Sequence, residues 1–185
     1  MLRAFWKNRR MLRLMKSDAL NVLVLCTGNS CRSIMAEALI NNFGRGRYRA
    51  WSAGNVPAGA VHPKSIETLQ RYGIDPGQPR SKSWDECAAQ SFDLVITVCD
   101  QAAGETCPLF PGSPKKLHWS TPDPAKVTGS EAEIDAAFDK TFFLLRDQVE
   151  ELMYRSDAAI TERDGRARVE LSVGRSSGTV SRSTS

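Results

Sequence analysis

Apolar residues fall into two spacings that alternate along the chain. Short runs stand at Asn21 to Leu25, at Arg49 to Ala53 before Gly54, at Asp93 to Val98 and at Lys115 to Trp119. Runs of this length and content predict buried strands. Elsewhere apolar residues recur every three or four positions. Met35, Ala38, Leu39 and Phe43 do so within Ile34 to Gly44, and Ile66, Leu69 and Tyr72 after His62-Pro63. Ile134, Ala137, Phe138, Thr141, Phe142, Leu145, Val149 and Leu152 do so within Ile134 to Met153. That spacing predicts helices with one buried stripe. Pro63 suits a first helical position, where its fixed φ fits and no N–H is needed, and Gly44 and Gly73 act as stops. Ser83 with Glu86 three residues on resembles a capping box for a short helix that holds Cys87 as an inert apolar group. Asp100 to Glu105 predicts another short, weakly held helix, ended by Cys107-Pro108. Alternating strands and helices predict the α/β class: a three-layer sandwich around a central four-stranded parallel sheet. In such folds the ligand lies beyond the carboxyl ends of the strands.

The ends of the chain break this pattern. Residues 1–20 interleave Arg3, Lys7, Arg9, Arg10, Arg13 and Lys16 with Leu2, Phe5, Trp6 and Met11, and contain no uninterrupted apolar segment of the kind a signal peptide needs. They are read as a basic N-terminal extension. Residues 155–185 turn to Ser, Arg, Gly and Thr and are read as a disordered tail. This leaves 21–154 as the folded domain. Residues 1–20 carry six basic residues against one acid and 155–185 six against four, so the net charge of +4 comes from the ends and the core is acidic. Nucleic acid is therefore not an expected partner of the core. No stretch approaches the ~20 apolar residues of a membrane span, and no stable membrane association is expected. Five cysteines, an odd number in a chain with a proper core, fit a reducing cytoplasm and catalytic thiols better than a secreted disulfide framework.

The chemistry concentrates between the first strand and the first helix, in Cys26-Thr27-Gly28-Asn29-Ser30-Cys31-Arg32-Ser33. A tight loop running into a helix N-terminus turns backbone N–H groups and the positive end of the helix dipole toward one point, which suits a tetrahedral anion. Thr27, Gly28, Asn29, Ser30 and Cys31 supply the amides, and the planar fork of Arg32 can clamp two oxygens. A helix N-terminus with a neighbouring cation lowers a thiol pKa from about 8.5 to roughly 3.5–7.5, so Cys26 is expected to be a thiolate. Ser33 is close enough in sequence to donate to its sulfur. Such a thiolate attacks phosphorus or arsenic in line while the loop and Arg32 hold the other oxygens. The alternative for these residues is a buried cysteine at a strand end and a surface arginine.

The segment Leu25 to Ser33, followed by Met35-Ala36-Glu37, resembles the catalytic loop of the low-molecular-weight protein tyrosine phosphatase superfamily. Within it the chain is similar to the thiol-linked arsenate reductases from about Asn21 to about Met153, through Ser52-Ala53-Gly54, Ile96-Thr97-Val98-Cys99-Asp100, Cys107-Pro108 and Pro122-Asp123-Pro124. The resemblance implies a low-molecular-weight phosphatase-like fold. It implies that arsenate binds, with phosphate and sulfate as competing anions, and that Cys26, Cys99 and Cys107 act in that order. Thioredoxin or glutaredoxin would reduce the final disulfide. Asp123 matches the general acid of the superfamily, and Cys31 is non-essential. No organic cofactor is implied. Some reductases of this family hold a potassium ion behind the loop with residues that match Asn29 and Glu37; where that site has an aspartate, this chain has Ser83.

Two other readings stand beside reduction. A phosphatase would use Cys26, Arg32 and Asp123 to hydrolyse a phosphomonoester, although Ala125 follows Asp123-Pro124 where tyrosine phosphatases of this fold usually carry an aromatic wall. A non-catalytic oxyanion-binding or redox-sensing module would use Cys99 and Cys107 as a switch. His62 is read as a helix-start residue rather than a base. Zinc is disfavoured, because Cys99 and Cys107 lack the close pairing of structural sites and His118 is the only nearby imidazole.

Overall fold

Strand β1 (Leu20–Cys26) is the axis of the sheet, with its residues from Val22 onward buried. The computed structural model describes residues 19–99 and 110–173, with side chains of the last helix described as far as Arg155. Strand β2 (Tyr48–Gly54) lies on one side of β1, and β3 (Leu94–Thr97) and β4 (Lys115–His118) on the other, in the order β2-β1-β3-β4 with every pairing parallel. An interior strand covered on both faces has no solvent-facing side, which is why β1 reads as a continuous apolar run. The edge strand β4 is exposed at every position and carries Lys115 and Lys116, charges that discourage pairing with another chain.

One face of the sheet presents Leu23, Leu25, Ala53 and Val95 to Cys87, Phe92 and Phe110, with Trp51 and Trp84 packed alongside. Cys87 is thus a core residue, as its apolar context implied, and burial pushes its thiol pKa up. The other face is covered by α1 (Arg32–Phe43), whose Asn41 side chain exchanges two hydrogen bonds with the backbone of Ala50. Helix α2 (Pro63–Arg71) packs beside α1 and meets the third helix, α3 (Glu131–Val173). There Lys64 pairs with Asp135, Arg71 with Asp139, and Tyr72 stacks on Phe142. Phe138, Thr141, Phe142, Leu145 and Val149 of the expected stripe are buried. The four-stranded parallel sheet and its helical cover are those of the α/β sandwich expected from sequence.

Two expectations change. Helix α3 continues to Val173, so residues 155–173 are helical and not the start of a disordered tail. That stretch carries four Arg and three Ala, residues of high helix propensity. The chain divides into compact units between Val149 and Glu150, and within the second unit Arg155 donates to Glu151 one turn earlier. The short helix at Ser83 is a 3₁₀ turn over Trp84–Cys87, in which the Ser83 hydroxyl accepts from the Asp85 N–H at 3.2 Å, one residue earlier than a capping box requires. Residues 1–18, the expected helix at Asp100 to Glu105, Cys107 and the chain beyond 173 lie outside the described residues.

Candidate active site

Strand β1 delivers Cys26 to the carboxyl edge of the sheet, and α1 begins at Arg32. The loop between them is tied down from outside. The Thr27 carbonyl accepts from Val56 N, that of Gly28 from Ala58 N and the Ser81 hydroxyl, and that of Ser30 from His62 N. Peptide planarity then turns the amides that follow these carbonyls, those of Gly28, Asn29 and Cys31, to the opposite, inner side. The first turn of α1 holds no acidic residue and no side chain caps it, so its N–H groups and dipole remain for a ligand. The loop also needs a glycine beside it: a Cβ at Gly54 would lie 2.4 Å from the Thr27 carbonyl oxygen.

Cys26 is buried, with its sulfur 3.1 Å from the Asn29 N–H and 2.9 Å from the Ser33 hydroxyl. The Ser33 oxygen accepts from Asn29 Nδ2 at 2.9 Å, which leaves its O–H to point at the sulfur. Asn29 is fully buried at φ 44°, a left-handed conformation that Asn tolerates better than most residues. Both N–H donors of its side chain are engaged. Nδ2 also donates to Ser52 Oγ at 2.9 Å, and Oδ1 accepts from Lys82 N at 2.8 Å. The Ser52 hydroxyl in turn donates to the Glu37 carboxylate. A continuous buried network therefore runs from Glu37 through Ser52, Asn29 and Ser33 to the Cys26 sulfur.

Arg32 and Asp123 meet at the mouth of the loop, Nη2 to Oδ2 at 2.7 Å, while Nη1 donates to the Thr121 carbonyl at 3.0 Å. Arg32 Nε is buried and has no partner among the described residues. Asp123 also accepts from Ala125 N at 3.2 Å, capping the 3₁₀ turn Pro124–Lys126. Ala125 is exposed and raises no wall beside the site.

Cys99 follows β3 and is buried, with its sulfur 3.6 Å from the Thr27 hydroxyl. The structure thus brings the second expected thiol against the residue next to Cys26. Cys31 is buried beside Ser30, and burial pushes its thiol pKa up, which suits an inert role. His62 caps α2 through Nδ1, stacks on Phe138 at 4.9 Å and serves the helix start as expected. His118 bonds Thr97 at 2.8 Å. Among the described residues no three His, Cys, Asp or Glu side chains cluster as a metal site.

The residues expected behind the loop do not fit a potassium ion. The Glu37 carboxylate already holds the Ser52 hydroxyl and faces the Lys82 ammonium at 4.0 Å, a charge that repels a cation, and the Asn29 amide oxygen already accepts from the backbone of Lys82. Sequence reading missed two parts of this arrangement: Lys82 itself, and the segment Ser81–Ser83 that braces the loop. Ser52 was visible only as part of the Ser52-Ala53-Gly54 motif.

A cysteine cradled at a strand end, with an arginine opening the following helix and an aspartate opposite it, defines a thiol-dependent oxyanion site on a parallel α/β sheet. The chain belongs to the low molecular weight phosphotyrosine protein phosphatase family, whose profile matches residues 21–165. It is similar to the arsenate reductase of Halalkalibacterium halodurans, 36% identical over 128 residues covering 69% of this chain and 88% of that one. Against the arsenate reductase of Bacillus licheniformis it is 37% identical over 134 residues, 72% of this chain and 92% of the relative. A solved structure described as an arsenate reductase in the phosphate binding state overlays with a TM-score of 0.60 at 27% identity, over 74% of this chain and 98% of that one.

Proposed function

We propose that the chain reduces arsenate to arsenite, with Cys26 as nucleophile and Cys99 as the second thiol. Residues 21–154 carry the reaction. The loop amides and Arg32 hold arsenate, and the Cys26 thiolate attacks As(V). A bond forms between sulfur and arsenic, and one oxygen leaves as water after taking a proton from Asp123. Cys99, as thiolate, then attacks the Cys26 sulfur. The electron pair of the S–As bond passes to arsenic, which departs as arsenite, As(III), while the two thiols become a Cys26–Cys99 disulfide. Cys107 attacks Cys99 in turn, freeing Cys26 and leaving Cys99–Cys107 for thioredoxin or glutaredoxin to reduce by dithiol exchange.

The observation that carries this reading is the contact between Cys99 and Thr27. Phosphate-ester hydrolysis has no use for a second buried thiol against the anion loop, whereas reduction requires one. Arsenate reductases among the relatives support the same substrate. A second reading, hydrolysis of a phosphomonoester, rests on Asp123 standing opposite the loop beside Arg32. Purified protein with arsenate, NADPH, thioredoxin and its reductase tests the choice, with glutaredoxin and glutathione in parallel. Sustained NADPH oxidation that depends on arsenate is expected. Hydrolysis of p-nitrophenyl phosphate with no arsenate-dependent oxidation in either system would favour the phosphatase.

A further inference from the structure

Glu37 faces two environments. On one side its carboxylate anchors the network that ends on Cys26. On the other it lines a polar cavity of about 460 Å³ with Asn41, Asn42, Asp75 and Gln78. Its side chain is 23% exposed, so the carboxylate is only partly withdrawn from water. The Lys82 side chain is 10% exposed and places its ammonium 4.0 Å from Glu37 Oε2. The backbone of Lys82 is engaged separately, its N–H with Asn29 Oδ1 and its carbonyl with Gly54 N.

We propose that the Lys82 ammonium is the resident counter-cation behind the catalytic loop, standing where a potassium ion would otherwise sit, and that it positions Cys26 through Glu37, Ser52 and Asn29. Lys82 is a positioning residue: it reaches the reacting sulfur only through the network. An ammonium opposite Glu37 holds the carboxylate turned inward, so that it accepts from Ser52. Ser52 then keeps its oxygen toward Asn29 Nδ2, and Asn29 holds both its backbone N–H and the Ser33 hydroxyl on the sulfur. Without the ammonium, Glu37 swings into the cavity, and the chain of donors loses its terminus. The cavity on the far side of Glu37 is wide enough to admit a hydrated ion, so a vacated site is open to solvent cations.

This inference rests on the reading of Cys26 as the nucleophile. Its test pairs two readouts, the rate of Cys26 alkylation by iodoacetamide at one fixed pH, corrected with Cys26→Ser, and arsenate turnover. Both are measured in choline, potassium and ammonium chloride at equal ionic strength. The parent protein is expected to be indifferent to the cation. Lys82→Gln is expected to lose roughly tenfold or more in both readouts in choline chloride, as second-layer substitutions at metal-type sites do. Potassium or ammonium should restore it, and Lys82→Arg should resemble the parent. Saturable activation of the parent by potassium would overturn the proposal. So would a Lys82→Gln protein as reactive as the parent, or one slowed with no recovery in either small cation. Alkylation reads the network whatever the substrate, so cation rescue of alkylation in a protein that turns over no arsenate would uphold the proposal and sink only the reductase reading.

Discussion

Arg32 and Asp123 are joined by a 2.7 Å contact although they stand 91 positions apart in the chain. The group proposed to clamp the anion and the group proposed to protonate its leaving oxygen are therefore paired with each other. The pair keeps Asp123 at the mouth of the loop. An oxyanion bound by Arg32 would therefore compete with this carboxylate for Nη2.

Replacing Asp123 with Asn separates these roles. Turnover should fall ~10²–10⁴-fold, the usual worth of a positioned general acid. Phosphate should inhibit as well as before or better, since Arg32 loses a charged competitor. Steady-state rates and phosphate inhibition constants check both halves. An unchanged turnover number would reduce Asp123 to a tether for Arg32.

Cys99→Ser and Cys107→Ser should each abolish multiple turnover of arsenate, because serine cannot carry the disulfide, while hydrolysis of p-nitrophenyl phosphate is largely retained. Full arsenate turnover in both variants would remove the thiol shuttle. Rapid-quench counting of arsenite separates the two, since Cys107→Ser should still release one equivalent per enzyme and Cys99→Ser none.

The sequence made Cys26, Arg32 and the first strand legible because local geometry dictates them: a short apolar run, a loop and a helix start need no distant partner. The sheet followed from the same alternation. The contacts that hold the loop in shape were not legible. Lys82 and Ser52 reach it only through pairings between segments far apart in the chain, and neither spacing nor residue type announces them. The length of α3 was missed for another reason. An apolar stripe marks where a helix is packed, not where it ends, and the helix runs on to Val173 past the stripe read from sequence.

Asn29 concentrates the loop's buried bonds, so two substitutions there should differ in an informative way. Asn29→Gly and Asn29→Ala both leave Ser33, Ser52 and the Lys82 N–H without their partner, at ~1–3 kcal/mol for each group left unsatisfied. Alanine adds about 1–2 kcal/mol of strain at φ 44°, which glycine escapes. Denaturant unfolding should therefore rank parent above Gly above Ala. Equal stability of the two variants would mean that the loop relaxes out of the left-handed conformation once the side chain is gone.

Gly54→Ala pushes a methyl group into the Thr27 carbonyl, with Cys26 O at 3.0 Å and Asn29 N at 3.1 Å also in the way. Backbone cannot yield as a side-chain end does, so a loss of ~1–3 kcal/mol is expected together with loss of anion binding. Thermal unfolding with and without phosphate measures both: the parent should gain stability from the anion and the variant should not.

The docking of α2 on α3 should depend on pH through Lys64 and Asp135, whose charged atoms are 2.7 Å apart. The Asp135 carboxyl is held below its ordinary range, first by the hydrogen bond from Lys64; burial opposes this as the next-largest effect, and the charges of Lys64 and Arg71 add smaller lowering. The Lys64 pKa is raised, chiefly by Asp135, with Glu131 and Glu67 adding to it. A carboxyl with a depressed folded pKa stabilises fully above its unfolded value of about 3.9 and loses that contribution as pH falls through the lower folded value. An ammonium with a raised pKa does so below its unfolded value of about 10.4, and loses it only as pH climbs through the still higher folded value. Both contributions are complete near neutrality. Asp135→Asn should therefore lower Tm at pH 7, less so in high salt, because these groups meet solvent and are screened. The gap from the parent should close as pH drops well below the ordinary carboxylate range, where Asp135 is protonated in either state. A Tm difference that stays constant into that acid range would place the effect of the substitution in packing, not in charge.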